Sequence, residues 1–150
     1  MYAEDKSRTA VIITNDNIYA ILINQLCDRD NGVLELKYKS IRIFAASMYL
    51  DINTEIDIKM ETVEEIILLS KGSATLIAMD SNSRSTAWHD SRTNSRGKTL
   101  EEFLTSRELN IMNEESEWTT FQSCRGSTNI DLTVVNNRLL KNFHDWEIRR

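Results

Sequence analysis

With 150 residues, 41% of them hydrophobic and 27% charged, the chain is long enough to bury a substantial core as one domain, residues 1–150. A net charge of −5 argues against a simple polycationic nucleic-acid binder, and no apolar run approaches the roughly 18 residues of a membrane helix. The start, MYAEDKSR, lacks the features of a secretory signal, and two widely separated cysteines, Cys27 and Cys124, favour reduced thiols and a reducing intracellular compartment over a disulfide.

The first third reads as strands. RTAVIITN and YAILIN are apolar and β-branched, divided by a turn at Asn15-Asp16-Asn17. DRDNGVLELKYKS opens on a turn at Asp30-Asn31-Gly32 and then alternates. SIRIFAASMYL alternates strictly, so Ile41, Ile43, Ala45, Ser47 and Tyr49 share one face. The period then changes: Ile56, Met60, Val63 and Ile67 predict a helix with its acids on the far side, Thr54 with Asp57 as a capping pair, and Lys71-Gly72 as its end. SATLIAM is the next strand, and a second helix is predicted from Ser95 to about Leu109 with Leu100, Phe103 and Leu104 inward. LNIMN, EWTTFQS, NIDLTVV and HDWEI are short strands, and CRGSTN (Cys124 to Asn129) is a hairpin loop. Strands interrupted by two helices imply an α+β or layered α/β domain built on mixed sheets. Proline is absent altogether, for which no physical reason is evident.

Charge is unevenly spread. Residues 51–70 carry six acids and one base, whereas residues 84–98 carry Arg84, Arg92, Arg96 and Lys98 against Asp90 alone. A basic loop in an acidic protein can meet a phosphate locally.

Asp80 and Asn82 follow the most apolar strand and lead into that loop. If the strand stays extended their side chains point the same way, about 6.5 Å apart. A carboxylate beside a carboxamide suits phosphoryl chemistry, the first orienting or deprotonating water and the second holding a phosphate oxygen. An isolated Asp-x-Asn is more often only a turn. A second one, Asp51-Ile52-Asn53, reads as a turn before a helix. Tyr49 is either a half-buried strand tyrosine or a phenol offered to a phosphate. Asp131, inside a strand, needs a partner, which could be a structural arginine or a catalytic histidine. His89 and His144 have no metal-ligand spacing with the cysteines and read as surface or loop residues.

Four blocks in order, SMYLDI, LIAMDSNSRSTAWHDSRTNSRGKTLEEFL, LNIMNEESEWTTFQSCRGSTNIDLTVV and HDWEI, resemble the endonuclease/exonuclease/phosphatase superfamily. More narrowly, they resemble the apurinic-type endonuclease domain of non-LTR retrotransposon polyproteins, particularly arthropod elements that insert at fixed sites. The resemblance implies a two-sheet sandwich flanked by helices and a DNA endonuclease. Such an enzyme nicks one strand of double-stranded DNA with Mg2+ (or Mn2+) and leaves a 3′-hydroxyl that primes the reverse transcriptase of the same polyprotein. It also implies a nuclear location. By the same resemblance Asp80 orients the attacking water, Asn82 and Tyr49 contact the scissile phosphate, Asp131 orients a histidine, and Thr120 supports the site. Arg84, Arg92, Arg96, Lys98 and Arg125 would lie against DNA. The family's usual Gly before the aspartate and aromatic within Asp-x-Asn are here Met79 and Ser81. Its metal-binding glutamate and an upstream asparagine would precede Met1 and its Ser-Asp-His ending would follow Arg150, so the chain reads as the middle of the domain, with impaired cleavage expected. Alternatives are another superfamily phosphodiesterase or repair nuclease, or a non-catalytic remnant that binds DNA or protein.

Overall fold

Alternation along the strands divides the molecule into a helix-covered face and a face that carries the polar strand ends. The computed structural model describes residues 6–149. The strands in chain order are β1 (Tyr19–Leu22), β2 (Asn31–Tyr38), β3 (Ile41–Tyr49), β4 (Ala74–Asp80), β5 (Leu109–Ile111), β6 (Phe121–Ser123), β7 (Gly126–Thr128) and β8 (Asp131–Asn136). Six of them form one mixed sheet in the order β1-β2-β3-β4-β8-β5, and β6 and β7 form a separate hairpin. Among the described residues only β3 and β4 pair in parallel, joined by the crossover helix α1 (Ile56–Ser70). The layered α+β architecture therefore holds, with two sheets of very unequal size. No helix among the described residues is long and apolar enough to cross a membrane.

On the covered face Val33, Ala46, Met48, Ile77, Met79, Leu132 and Val134 recur at alternate positions, and α1 packs onto them with Ile56, Met60, Val63 and Ile66. The helix α2 (Ser95–Ser106) adds Leu100 and Leu104, and Trp88 is fully enclosed beside them. Each of the Val, Leu, Ile and Met side chains in this set stabilises the fold by about 1.5–3 kcal/mol on burial. The fourth contact of α1 is Ile66, with Ile67 at the core margin. Lys71 ends the helix in the left-handed conformation, as the Lys71-Gly72 pair predicts. The expected Thr54–Asp57 capping pair does not form. Glu55 occupies the cap position without a side-chain bond, because Asp51 already turns the chain by accepting the Asn53 N–H at 2.9 Å.

Four other expectations are corrected. RTAVIITN joins no sheet among the described residues. Thr9 lies against Gly32 and Ile12 is 84% exposed, so the segment crosses the second face without a ladder partner. HDWEI forms no strand either, and is held instead by the Trp146 indole N–H donating to Thr133 Oγ1 at 3.1 Å. Within CRGSTN only Cys124 and Arg125 make the turn. Gly126, at φ 132, begins β7 in a conformation that glycine alone adopts easily. The second helix stops at Ser106, since Glu108 turns at φ 53 and Leu109 opens β5. Both cysteines are free thiols.

The start of α2 is held from outside. The Asn94 side chain accepts the Gly97 N–H at 2.7 Å and the Arg84 N–H at 3.2 Å, while Arg84 O accepts the Asn94 N–H at 3.0 Å. A Cβ on Gly97 would lie 1.9 Å from Arg84 O, so the helix and the loop after β4 can approach this closely only over a glycine. Gly97→Ala should therefore destabilise the protein by about 1–3 kcal/mol. An unchanged urea midpoint would show that the loop yields at no cost.

Candidate active site

Three strands end their second face in polar side chains at one edge. Register places Tyr49 beside Asp80 across the parallel β3–β4 pair, and Asp80 directly opposite Asp131 across the antiparallel β4–β8 pair. Residues opposite one another in such pairs have Cβ atoms about 4.5–5.5 Å apart. The row lines an open cleft of about 310 Å³ that also includes Arg8, Thr133 and Trp146.

Both carboxylates are pushed above the usual aspartate range. For Asp80 the cause is burial, partly offset by the Asn82 N–H, which donates to Oδ1 at 3.3 Å. For Asp131 it is again burial, opposed by a hydrogen bond from the Thr120 hydroxyl and reinforced by the charge of Asp80. Neither acid has an ion-pair partner among the described residues. His89 bonds to the Asn113 carbonyl and His144 is exposed, so neither is the histidine that Asp131 was expected to orient. Thr120 also accepts the N–H groups of Ile130 (3.0 Å) and Asp131 (3.1 Å), which fixes the entry of β8.

Asn82 departs from the expected extended geometry. The strand ends at Asp80, Asn82 adopts φ 47, and its side chain turns to donate to the Leu50 carbonyl at 3.1 Å. Asn82 stays within one hydrogen bond of Asp80 but does not point alongside it.

The basic loop separates into two kinds of residue. Arg84 pairs with the buried Asp90 at 2.7 Å and bonds Ser91, and Arg96 donates to the carbonyls of Thr54, Leu50, Asp51 and Ser81. These two guanidiniums brace the fold, a role beyond the expectation that they lie against DNA. Arg92, Lys98 and Arg125 are exposed. Burial acts to raise the Asp90 carboxyl, but Arg84 and the N–H groups of Asn129 and Arg92 hold it below its ordinary value. Asp90 Oδ2 accepts the Asn129 N–H at 2.8 Å, and the Asn129 side chain donates to His89 O at 2.8 Å. The loop thus anchors the segment leading to Asp131.

Arg8 and Trp146 carried no signal in the sequence, since each lay in a stretch read as an ordinary strand. Arg8 stacks 4.2 Å from the Tyr49 ring centroid and binds Asp30 at 2.6 Å and Asp51 at 2.7 Å. The Arg8 hydrogen bond lowers the Asp30 carboxyl, with help from Lys59, and the Asn53 N–H and then Arg8 hold Asp51 down at about 2.

An acid whose folded pKa is raised stabilises the fold below its unfolded pKa and loses that contribution as pH rises through the folded value. Asp131→Asn, which removes a half-buried charge facing Asp80, should accordingly raise the melting temperature at pH 7, and the gain should vanish near pH 3. Equal gains at both pH values would remove burial as the cause.

A family model described as endonuclease-reverse transcriptase matches residues 43–150. The chain is 26% identical over 149 residues to a retrovirus-related Pol polyprotein from type-1 retrotransposable element R1 of Bradysia coprophila, covering 93% of this chain and 15% of that protein. Among solved structures it superposes with TM-score 0.83 on the endonuclease domain of TRAS1, a telomere-specific non-LTR retrotransposon. Identity there is 21%, over 90% of this chain and 63% of the other. A 3′-5′ exonuclease from Neisseria meningitidis follows at TM-score 0.53 and 12% identity, over 86% and 61% of the two chains. Residues 43–150 contain Tyr49, Asp80 and Asp131, and the chain belongs to the endonuclease-reverse transcriptase family.

Proposed function

We propose that the cleft at the ends of β3, β4 and β8 hydrolyses a phosphodiester bond of double-stranded DNA, nicking one strand to provide a 3′-hydroxyl for reverse transcription by the same polyprotein. The observation that carries this reading is the row Tyr49–Asp80–Asp131, two uncompensated carboxylates and a phenol on one open edge, in a chain of this family.

Two facing carboxylates without a paired cation are the oxygen donors that Mg2+ or Mn2+ takes, typically one or two carboxylates together with phosphate oxygens. Asp80 and Asp131, opposite one another across β4 and β8, are the two residues that would contribute to holding it; no group of three or more acid, histidine or cysteine side chains suited to a metal occurs among the described residues. Such an ion, when bound, stabilises negative charge developing on the phosphoryl oxygens by several kcal/mol. Asp80 orients the attacking water, and burial makes its carboxylate a better proton acceptor than an exposed one. Tyr49, held beneath Arg8, contacts the phosphate, and Arg8 supplies positive charge at the same edge. Asn82 reaches the phosphate by exchanging its bond to Leu50 O for one to substrate. Thr120 holds Asp131 in register through the two N–H groups it accepts. Arg92, Lys98 and Arg125 meet the DNA backbone.

Nicking of supercoiled plasmid tests the reading, with the chain alone and with a longer polyprotein segment containing it. We expect Mg2+-dependent nicking from the longer segment, abolished by EDTA, and lowered at least 100-fold by Asp80→Ala without any fall in the melting temperature. Nicking by the Asp80→Ala protein at the original rate would place the chemistry elsewhere. Arg92→Ala, Lys98→Ala and Arg125→Ala together should flatten the salt dependence of duplex binding by roughly 0.9 log units per lost phosphate contact. Loss of the same slope from Arg84→Ala alone would mean that the brace to Asp90 is not its role.

A further inference from the structure

At the far end of the sheet from the cleft, three loops meet: the β2–β3 turn at Lys39 and Ser40, the α1–β4 turn from Lys71 to Ser73, and the short helix α3 (Asn137–Leu140) with the residues just after it. They enclose a groove of about 420 Å³ lined by Ser40, Ile41, Arg42, Ser73, Arg138 and Asn142. Asn136 fixes its floor, donating to Ser73 O at 2.7 Å and accepting the Thr75 N–H at 3.2 Å.

This end is basic in an acidic protein. Lys37, Lys39, Arg42, Lys71, Arg138 and Lys141 cluster here. Against them stand Glu35, bound by Arg42 at 2.7 Å and Lys37 at 3.0 Å, and Glu108, 3.5 Å from the Asn137 amide. The balance is +4 in a chain whose total is −5. Lys39, Lys71, Arg138 and Lys141 are exposed, and none of them enters an ion pair among the described residues.

Two further features narrow the partner. Lys39 and Lys71 both sit at positive φ, 53° and 47°, where glycine or asparagine is less costly. The fold keeps lysine at both strained tips. Beside them Tyr38 is 37% exposed, with Lys39 Nζ 5.2 Å from its ring centroid, and Ile41, its register partner, is 54% exposed. A cationic groove with hydroxyl and amide donors, flanked by an open aromatic ring, is the arrangement that holds a phosphate backbone while a base stacks. Only an unpaired base has a free face to offer the ring.

We propose that this end of the sheet docks single-stranded nucleic acid, separately from the cleft. Phosphates lie along Lys39, Lys71 and Arg138, Ser40, Ser73 and Asn142 donate within the groove, and one base stacks on Tyr38.

Fluorescence anisotropy with labelled oligothymidylate, oligouridylate and a duplex of equal length tests this on the whole chain. Lys39→Gly, Lys71→Gly and Arg138→Ala together should weaken single-strand binding at least tenfold and flatten its salt dependence by about 0.7 log units per lost contact. The two glycines relieve the positive-φ strain, so the melting temperature should hold or rise, which separates lost binding from lost fold. Tyr38→Ala should weaken oligothymidylate at least fivefold and leave the duplex within twofold. Oligouridylate distinguishes RNA from DNA as the preferred strand. Unchanged single-strand affinity in the triple variant overturns the proposal. So does equal loss on duplex from Tyr38→Ala, or competition by polyglutamate as effective as by oligothymidylate, which would make the surface a generic site for acidic protein.

Discussion

The pairing of β4, parallel to β3 on one side and antiparallel to β8 on the other, is the constraint on which the rest depends. It sets Tyr49, Asp80 and Asp131 in one row although they come from three separate parts of the chain. A one-residue slip of β4 against its neighbours would send Asp80 to the helix-covered face, out of line with Tyr49 and Asp131. The apolar positions oppose that shift, because Ile77 and Met79 would leave a core in which they are almost fully enclosed.

Around this row the molecule places its charges unequally. At the cleft two carboxylates are left without a cation, at a free-energy cost from burial and mutual repulsion. A few residues away, Asp90 and Asp30 are matched to arginine. Arg8, which lines the cleft, is itself bound by Asp30 and Asp51, so Asp80 and Asp131 keep no ion-pair partner among the described residues. Acids left uncompensated in an open cleft point to a ligand, whereas acids paired in the same neighbourhood point to scaffolding.

Arg84 and Arg96 show why a basic loop cannot be read as an interface from composition. Arg96 closes four carbonyls that the turns after β3 and β4 leave without helix or sheet partners. Arg84 neutralises a carboxylate that itself holds the chain leading to Asp131. Their contribution to the site is positional: they hold the edges of the cleft so that the exposed cations can act from a fixed frame.

Much was legible in the sequence. The two-residue and three-to-four-residue periods place β2, β3, β4 and β8 and both long helices, because burial of one face imposes those periods on any chain. That Tyr49, Asp80 and Asp131 each stand at a strand end next to a polar turn was also within reach, since those are local features; their alignment in one row comes from strand pairing. What the sequence could not decide was everything that depends on partners distant in the chain. RTAVIITN and HDWEI have strand composition, but a strand requires a ladder partner, and none meets them among the described residues. Asn82 was expected to extend the strand, yet the nearby Leu50 carbonyl draws its amide into a left-handed turn. Arg8, far from Tyr49 in sequence, reaches its ring only because Asp30 and Asp51 converge there to hold the guanidinium. Periodicity reports which face of an element is buried. Only the tertiary structure decides what stands opposite, because hydrogen bonds and charges are satisfied by proximity in space.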